Sequence, residues 1–372
     1  MVHRVERARC GWYNLDMVPR AAPVLVLLLG LAACGGGASS TEPSPLPTLT
    51  PAPDPGPLRA DAAAAGKWIG AAIQSGYLNQ AAYTRTLARH FDYVTAEYEM
   101  KWDPTERAPG VFSFEGADAI VAYAEHNGMR VKGHALLWHG ATPDWVNALS
   151  PRDLQAALED HIRTVVGRYR GRIAVWDVVN EAVADDGSGL RDTVFHQQLG
   201  DGYLEQAFRL AHEADPDALL TYNDYGAEGL GAKSDQVYAL VRRLRERGVP
   251  IGGVGLQMHV AAQDRPPSVD IAANMRRLAE LGLRVNISEM DVRIKDVAGD
   301  RNTRLLVQRR EYQDIVALCV AEPGCQAVTF WGFTDLYSWI DTFFGPDDPL
   351  LFDEAYAAKP AFFGVQDALR RR

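Results

Sequence analysis

Two carboxylates are set where they could share one reaction. Glu181 closes the run Trp176-Asp177-Val178-Val179-Asn180-Glu181, and Glu289 lies inside Ile287-Ser288-Glu289-Met290-Asp291. Both stretches lie at the ends of longer strand-like runs, Ile173–Glu181 and Arg284–Asp291. With one carboxyl protonating a leaving oxygen and the other attacking the carbon it leaves, two strand-end glutamates are the minimal equipment for cleaving a glycosidic bond. A second chemistry is open to the same neighbourhood, because Glu181, Glu289, Asp291 and His259 could also hold a divalent ion. Lys101 and the tryptophans suit a sugar pocket better, so no metal is expected.

The elements that must position these groups follow a regular alternation. Strand-like runs occur at Trp68–Gln74, Phe91–Glu97, Arg130–Trp138, Ile173–Glu181, Leu219–Tyr225, Ile251–His259, Arg284–Asp291 and Ala327–Phe333. Between them the apolar residues recur at helical spacing, as in Val237, Leu240, Val241 and Leu244, then Ile271, Met275, Leu278 and Leu281, then Tyr312, Ile315, Val316 and Cys319. Gly128, Gly171, Gly248-Val249-Pro250 and Gly282 supply the stops. Eight such units predict a single α/β domain, a (β/α)8 TIM barrel over 58–372, with an open doubly wound sheet as the alternative.

In such barrels the chemistry sits at the C-terminal ends of the strands. Glu97, His134, Asn180-Glu181, Asn223, Gln257 and His259, Glu289 and Asp291, and Trp331 all fall at or just past predicted strand ends. Any one of them alone reads as a helix cap or a loop hydrogen-bonder; seven strands converging on one rim point to a site.

Composition narrows the partners. The formal net charge is -10, which argues against nucleic acid. No phosphate-binding glycine loop or dinucleotide fingerprint stands out, so no cofactor is expected. Val24–Ala33 is apolar but far shorter than the ~20 residues that cross a bilayer, and reads as the core of a signal peptide over 1–33. Its n-region is long, so Met17 is an alternative start. Leu31-Ala32-Ala33-Cys34 resembles a bacterial lipobox, with Cys34 lipidated; simple secretion is the alternative. Residues 34–57, rich in Pro, Gly, Ser and Thr, cannot bury enough apolar surface to order themselves and read as a flexible tether. The expectation is an exported monomer held to the cell envelope only through a lipid anchor, in the outer membrane or at the surface. Cys319 and Cys325, six apart across a turn, are placed to form a disulfide, with two free thiols as the alternative.

Longer motifs carry a resemblance. Trp176-Asp177-Val178-Val179-Asn180-Glu181-Ala182, Gly255-Leu256-Gln257-Met258-His259, Ile287-Ser288-Glu289-Met290-Asp291, Trp331-Gly332-Phe333-Thr334-Asp335 with Ser338-Trp339, Met100-Lys101-Trp102, and Gly133-His134 through Trp138-His139 together resemble glycoside hydrolase family 10, the retaining endo-β-1,4-xylanases. The resemblance covers nearly all of 60–368. It implies xylan or xylo-oligosaccharides as substrate, Glu181 as general acid/base and Glu289 as nucleophile. It further implies that His259 and Asp291 orient Glu289, that Asn180 reaches the 2-hydroxyl of the sugar at subsite −1, and that Gln257 lies near the acid/base. Glu97, Lys101 and His134 would meet the glycone sugars, Trp138, Trp331 and Trp339 would wall subsite −1, and Tyr225 would be the aromatic platform at +1.

One position departs from the family. Where the family has Glu-Asn, this chain has Glu97-Tyr98, so a phenol replaces the amide that meets the −2 sugar. A phenol offers one O–H donor on a single oxygen, where a carboxamide offers two N–H donors and a separate carbonyl acceptor. The change leaves two other readings in view: a hydrolase of another β-1,4-glycan, and a surface lipoprotein that binds glycans without cleaving them.

Overall fold

The computed structural model describes residues 56–371. The signal-like segment, Cys34 and nearly all of the tether lie outside the described residues. Eight parallel strands form the centre: β1 (Trp68–Ile73), β2 (Tyr93–Ala96), β3 (Arg130–Trp138), β4 (Val175–Asn180), β5 (Leu219–Asp224), β6 (Gly253–Leu256), β7 (Arg284–Arg293) and β8 (Cys325–Phe330). Each pairs with the next in chain order, and β8 pairs with both β7 and β1. That closure makes a barrel and excludes the open doubly wound sheet.

The helical patterns become helices Ala232–Glu246, Ser268–Glu280 and Arg301–Ala321, which bury Val237, Leu240, Val241 and Leu244, then Ile271, Met275 and Leu278, then Tyr312, Ile315, Val316 and Cys319. Among the described residues no helix is long and apolar enough to cross a membrane. Cys319 and Cys325 form a disulfide, fastening the last turn of Arg301–Ala321 to the start of β8. This settles the choice between bridge and free thiols.

Most strand ends shift by one to three residues from the sequence expectation, and two of the shifts, both beside the rim, have a backbone cause. The run through Glu181 ends as a strand at Asn180, because Glu181 takes a left-handed conformation, φ 57°. The run through His259 divides: β6 stops at Leu256, Met258 turns at φ 64°, and His259–Ala261 resumes pairing with β7 alone. A β-carbon in this region costs roughly 1–2 kcal/mol, so the surroundings must hold both residues there.

Candidate active site

Glu181 and Glu289 are almost fully buried, at 3% and 4% exposure, on the C-terminal side of β4 and within β7. Glu289 stands where the β7–β8 register slips, between Ile287 and Met290; such a bulge re-aims a side chain. Asn223 Nδ2 donates to Glu289 Oε1 at 2.6 Å, and His259 Nε2 lies 3.1 Å from Oε2. The other ring nitrogen of His259 is 2.8 Å from Asp291, which also accepts from Trp339 Nε1 at 2.8 Å. Burial opposes a charge on His259, but Asp291 and Glu289 outweigh it and raise its pKa to about 10. His259 is therefore a cation at neutral pH and donates to both carboxylates.

The same reasoning gives Glu289 its state. Burial pushes its carboxyl up, yet His134, His259 and Lys132 together hold it below the usual range. Burial holds His134 itself below its ordinary value, so His259 and Lys132 supply the durable positive charge. No cation bonds to Glu181 among the described residues, and the downward pull of Lys233 is weaker than the effects of burial and of Glu289. Gln257 Nε2 donates to its Oε1 at 3.0 Å and Trp138 Nε1 to its Oε2 at 2.8 Å, both neutral donors. Burial first, helped by the charge of Glu289, raises the Glu181 pKa above the normal range.

A chain of amides links the two acids. From Glu289 it runs to Asn223 (2.6 Å), Asn180 Oδ1 (2.8 Å), Gln257 Nε2 (3.3 Å) and Glu181 (3.0 Å). With the Asn180 oxygen taken twice, its Nδ2 has no partner among the described residues and is available to a ligand. Gly255 makes room for this chain, since a β-carbon there would lie 2.0 Å from Asn223 Oδ1.

Lys101 is buried, 4.5 Å above the Trp138 ring and 5.8 Å from that of Trp331. Burial lowers its pKa, against the pull of Glu289, Glu97 and Glu181. Trp331 packs edge-on against His134 at 5.1 Å and Trp339 against His259 at 4.9 Å. Glu97 accepts from Gln74 Nε2 at 3.1 Å, and burial raises it to about 7. Tyr98 is 36% exposed, 5.9 Å from the Lys101 ammonium, and donates its hydroxyl to Asp103 at 3.0 Å. Tyr225 sits on the β5 side, bonded to Asp185, with the Lys233 ammonium 3.5 Å over its ring.

The structure adds groups to which the sequence reading gave no role. Asn223 was placed on the rim but not in the chain of amides. Ser288 Oγ donates to its Oδ1 at 2.6 Å and so fixes its orientation. Asp177 accepts from Thr221 Oγ1 at 2.7 Å and lies 2.9 Å from His134 Nδ1 and 3.0 Å from Lys132 Nζ. A signal existed: Lys132 and Asp177 are opposite charges in two adjoining apolar runs, and buried charges must pair. His134, Asp177 and Glu289 also bring donor atoms within 4.8 Å of one another. Lys132 already provides that cluster with a cation, and His259, protonated and donating on both sides, has no lone pair for a metal.

Residues 57–368 match the sequence profile of Glycosyl hydrolase family 10. The chain belongs to that family. Family 10 relatives include endo-1,4-beta-xylanase B of Thermotoga neapolitana, 41% identical over 293 residues, covering 78% of this chain and 84% of the relative. Among solved structures, native xylanase 10B of Thermotoga maritima superposes with TM-score 0.81 at 40% identity, over 84% of this chain and 98% of the other. Xylanase 10B of Thermotoga petrophila, solved with xylobiose, gives TM-score 0.81 at 39% identity, over 84% and 97% of the two chains.

Proposed function

We propose that this family 10 barrel hydrolyses internal β-1,4-xylosidic bonds of xylan with retention of configuration. Its relatives act on or bind xylo-saccharides by name, and one observation carries the mechanism: two buried glutamates at the same rim, one held by the neutral donors Trp138 and Gln257 and the other by His259 and Asn223, which pushes their pKa values in opposite directions. Glu289, anionic, attacks the anomeric carbon while Glu181, protonated, gives its proton to the departing glycosidic oxygen. The C–O bond to the aglycone breaks and a glycosyl ester on Glu289 forms. Esterification removes the Glu289 charge, one of the causes that hold Glu181 up, so Glu181 becomes a better acid and stays ionised. It then takes a proton from water, whose oxygen attacks the anomeric carbon and releases Glu289 as carboxylate.

The support follows from the contacts. Asn223 and His259 each hold one oxygen of the nucleophile, and Asn180 offers its Nδ2 to the 2-hydroxyl at subsite −1. Lys101 and His134 face the glycone, Trp331 and Trp339 close around it, and Tyr225 meets the aglycone. Xylose lacks the hydroxymethyl of glucose, and a pocket bounded by Trp339 and Tyr98 favours the smaller sugar.

The product pattern of the full chain on glucuronoarabinoxylan, carboxymethylcellulose and mixed-linkage glucan tests this reading. Short xylo-oligosaccharides with the β-anomer formed first are expected. Cleavage of glucan alone would move the assignment to another β-1,4-glycan, and binding without any cleavage would leave only a glycan-binding protein. We further propose export as a monomer anchored through a lipid on Cys34, supported by Leu31-Ala32-Ala33-Cys34 after an apolar run. Cys34→Ser should shift the protein from the membrane to the soluble fraction of cells.

A further inference from the structure

We propose that Arg191 is a positioning residue for the acid/base, holding the left-handed backbone from which Glu181 projects; this rests on the reading of Glu181 as that group. Arg191 alone serves three successive carbonyls. Its backbone N–H donates to Ala182 O at 2.7 Å, its Nε to Glu181 O at 3.1 Å and its Nη2 to Val183 O at 3.3 Å. The amides of the same three residues are held from the other side. Glu181 N–H donates to Asn223 O at 2.8 Å, and those of Ala182 and Val183 to the Tyr222 hydroxyl at 3.1 Å each.

Glu181 is a non-glycine residue at φ 57°, and nothing in its own side chain favours that conformation. Trp138 and Gln257 orient the carboxyl, but the point from which it extends is set by the backbone. Removing the guanidinium strips donors from the carbonyls of 181 and 183 and frees the segment to relax, which swings the Glu181 β-carbon and with it the proton. The fork is itself fixed by Asp185, 2.6 Å from Nη2, and by the Tyr225 hydroxyl at 3.2 Å. One guanidinium thus holds both the aim of the acid and the aromatic ring on the aglycone side.

A misplaced acid leaves a particular signature. An aryl leaving group of low pKa departs without protonation, whereas phenol and sugar do not, and kcat/KM reports the first step, in which the acid acts. In the full chain, Arg191→Met is expected to lower kcat/KM for phenyl β-xylobioside about 10- to 100-fold, and for the 2,4-dinitrophenyl analogue less than about 3-fold. Equal losses on both substrates would mean a general structural role and overturn the proposal, as would no loss on either. Arg191→Lys keeps the charge but replaces the planar fork by a single point donor. It should show the same selectivity to a smaller degree, and it decides the matter if the Met variant does not fold. Glu181→Ala, measured in parallel, separates the two readings. Selectivity in Glu181→Ala but in neither Arg191 variant defeats the positioning role alone; its absence in Glu181→Ala defeats the assignment of the acid itself.

Discussion

Glu181 and Glu289 are the same side chain at nearly the same depth, 3% and 4% exposed, yet the ends of the barrel that carry them are built by different means. At the β4 end the backbone is bent into a left-handed turn and clamped, and the carboxyl receives neutral donors from Trp138 and Gln257. At the β7 end Glu289 remains within a strand, and its partners include the His259 cation, charged through its bond to Asp291. Burial favours the neutral acid in both places. Only where a cation bonds the carboxylate directly is that preference reversed, so in the proposed mechanism the identity of the donors, rather than depth, assigns which glutamate keeps its proton.

The contrast breaks most visibly when either acid is removed. Glu289→Ala should reduce kcat by about 10⁴-fold or more on every substrate, since no other group can form the ester. A residual rate within tenfold of the parent would remove Glu289 from the mechanism. Glu181→Ala should be selective instead, losing about 10²–10⁴-fold on xylan but far less on activated aryl glycosides.

Acidity sharpens the comparison at smaller cost to rate. The proposed mechanism requires Glu181 protonated and Glu289 ionised, so kcat/KM should fall as pH rises through the elevated Glu181 value and as it drops through the depressed Glu289 value. His259→Asn removes a cation from one end only. The acid limb should move upward while the alkaline limb stays; if both move together, the two ends are not electrically separate. Stability offers a second readout with its own sign. The folded pKa of His259, about 10, lies above the ordinary histidine value of 6.5. Its contribution is complete below about 6.5 and is lost as pH rises through about 10. Unfolding midpoints of the parent should therefore decline across that window more steeply than those of His259→Asn.

How legible each end was depends on the kind of interaction. The eight strands could be read from apolar runs, because burial on both faces leaves a one-dimensional trace. The rim could be read too, since polar residues ending such runs are conspicuous. What the sequence did not disclose were bonds between elements distant in the chain. Asn223 was visible as a strand-end residue, but its bonds to Asn180 and Glu289 depend on three strands meeting at one height. The left-handed turns at Glu181 and Met258 left no glycine to mark them, so both strands were drawn too long. Arg191 lies in no motif, ten residues from the glutamate whose carbonyl it holds.

The smallest expected effect concerns Tyr98, which the sequence resemblance puts where the family has an amide at the glycone end. Its hydroxyl is engaged with Asp103 at 3.0 Å, so what it presents to a sugar at −2 is ring surface. Such a contact is the same in the ground state and the transition state, and changing it should alter KM rather than kcat. Tyr98→Asn is expected to lower KM for short xylo-oligosaccharides by roughly 2- to 10-fold with kcat unchanged, about the worth of one added hydrogen bond. Tyr98→Phe separates ring from hydroxyl. If the ring is what meets the sugar, KM in that variant stays within about twofold of the parent, because the bond to Asp103 that it gives up is an exposed one of about 0.5–1.5 kcal/mol at most. A several-fold rise in KM for Tyr98→Phe would show that the hydroxyl turns from Asp103 to the substrate, and that the −2 subsite keeps a polar contact after all.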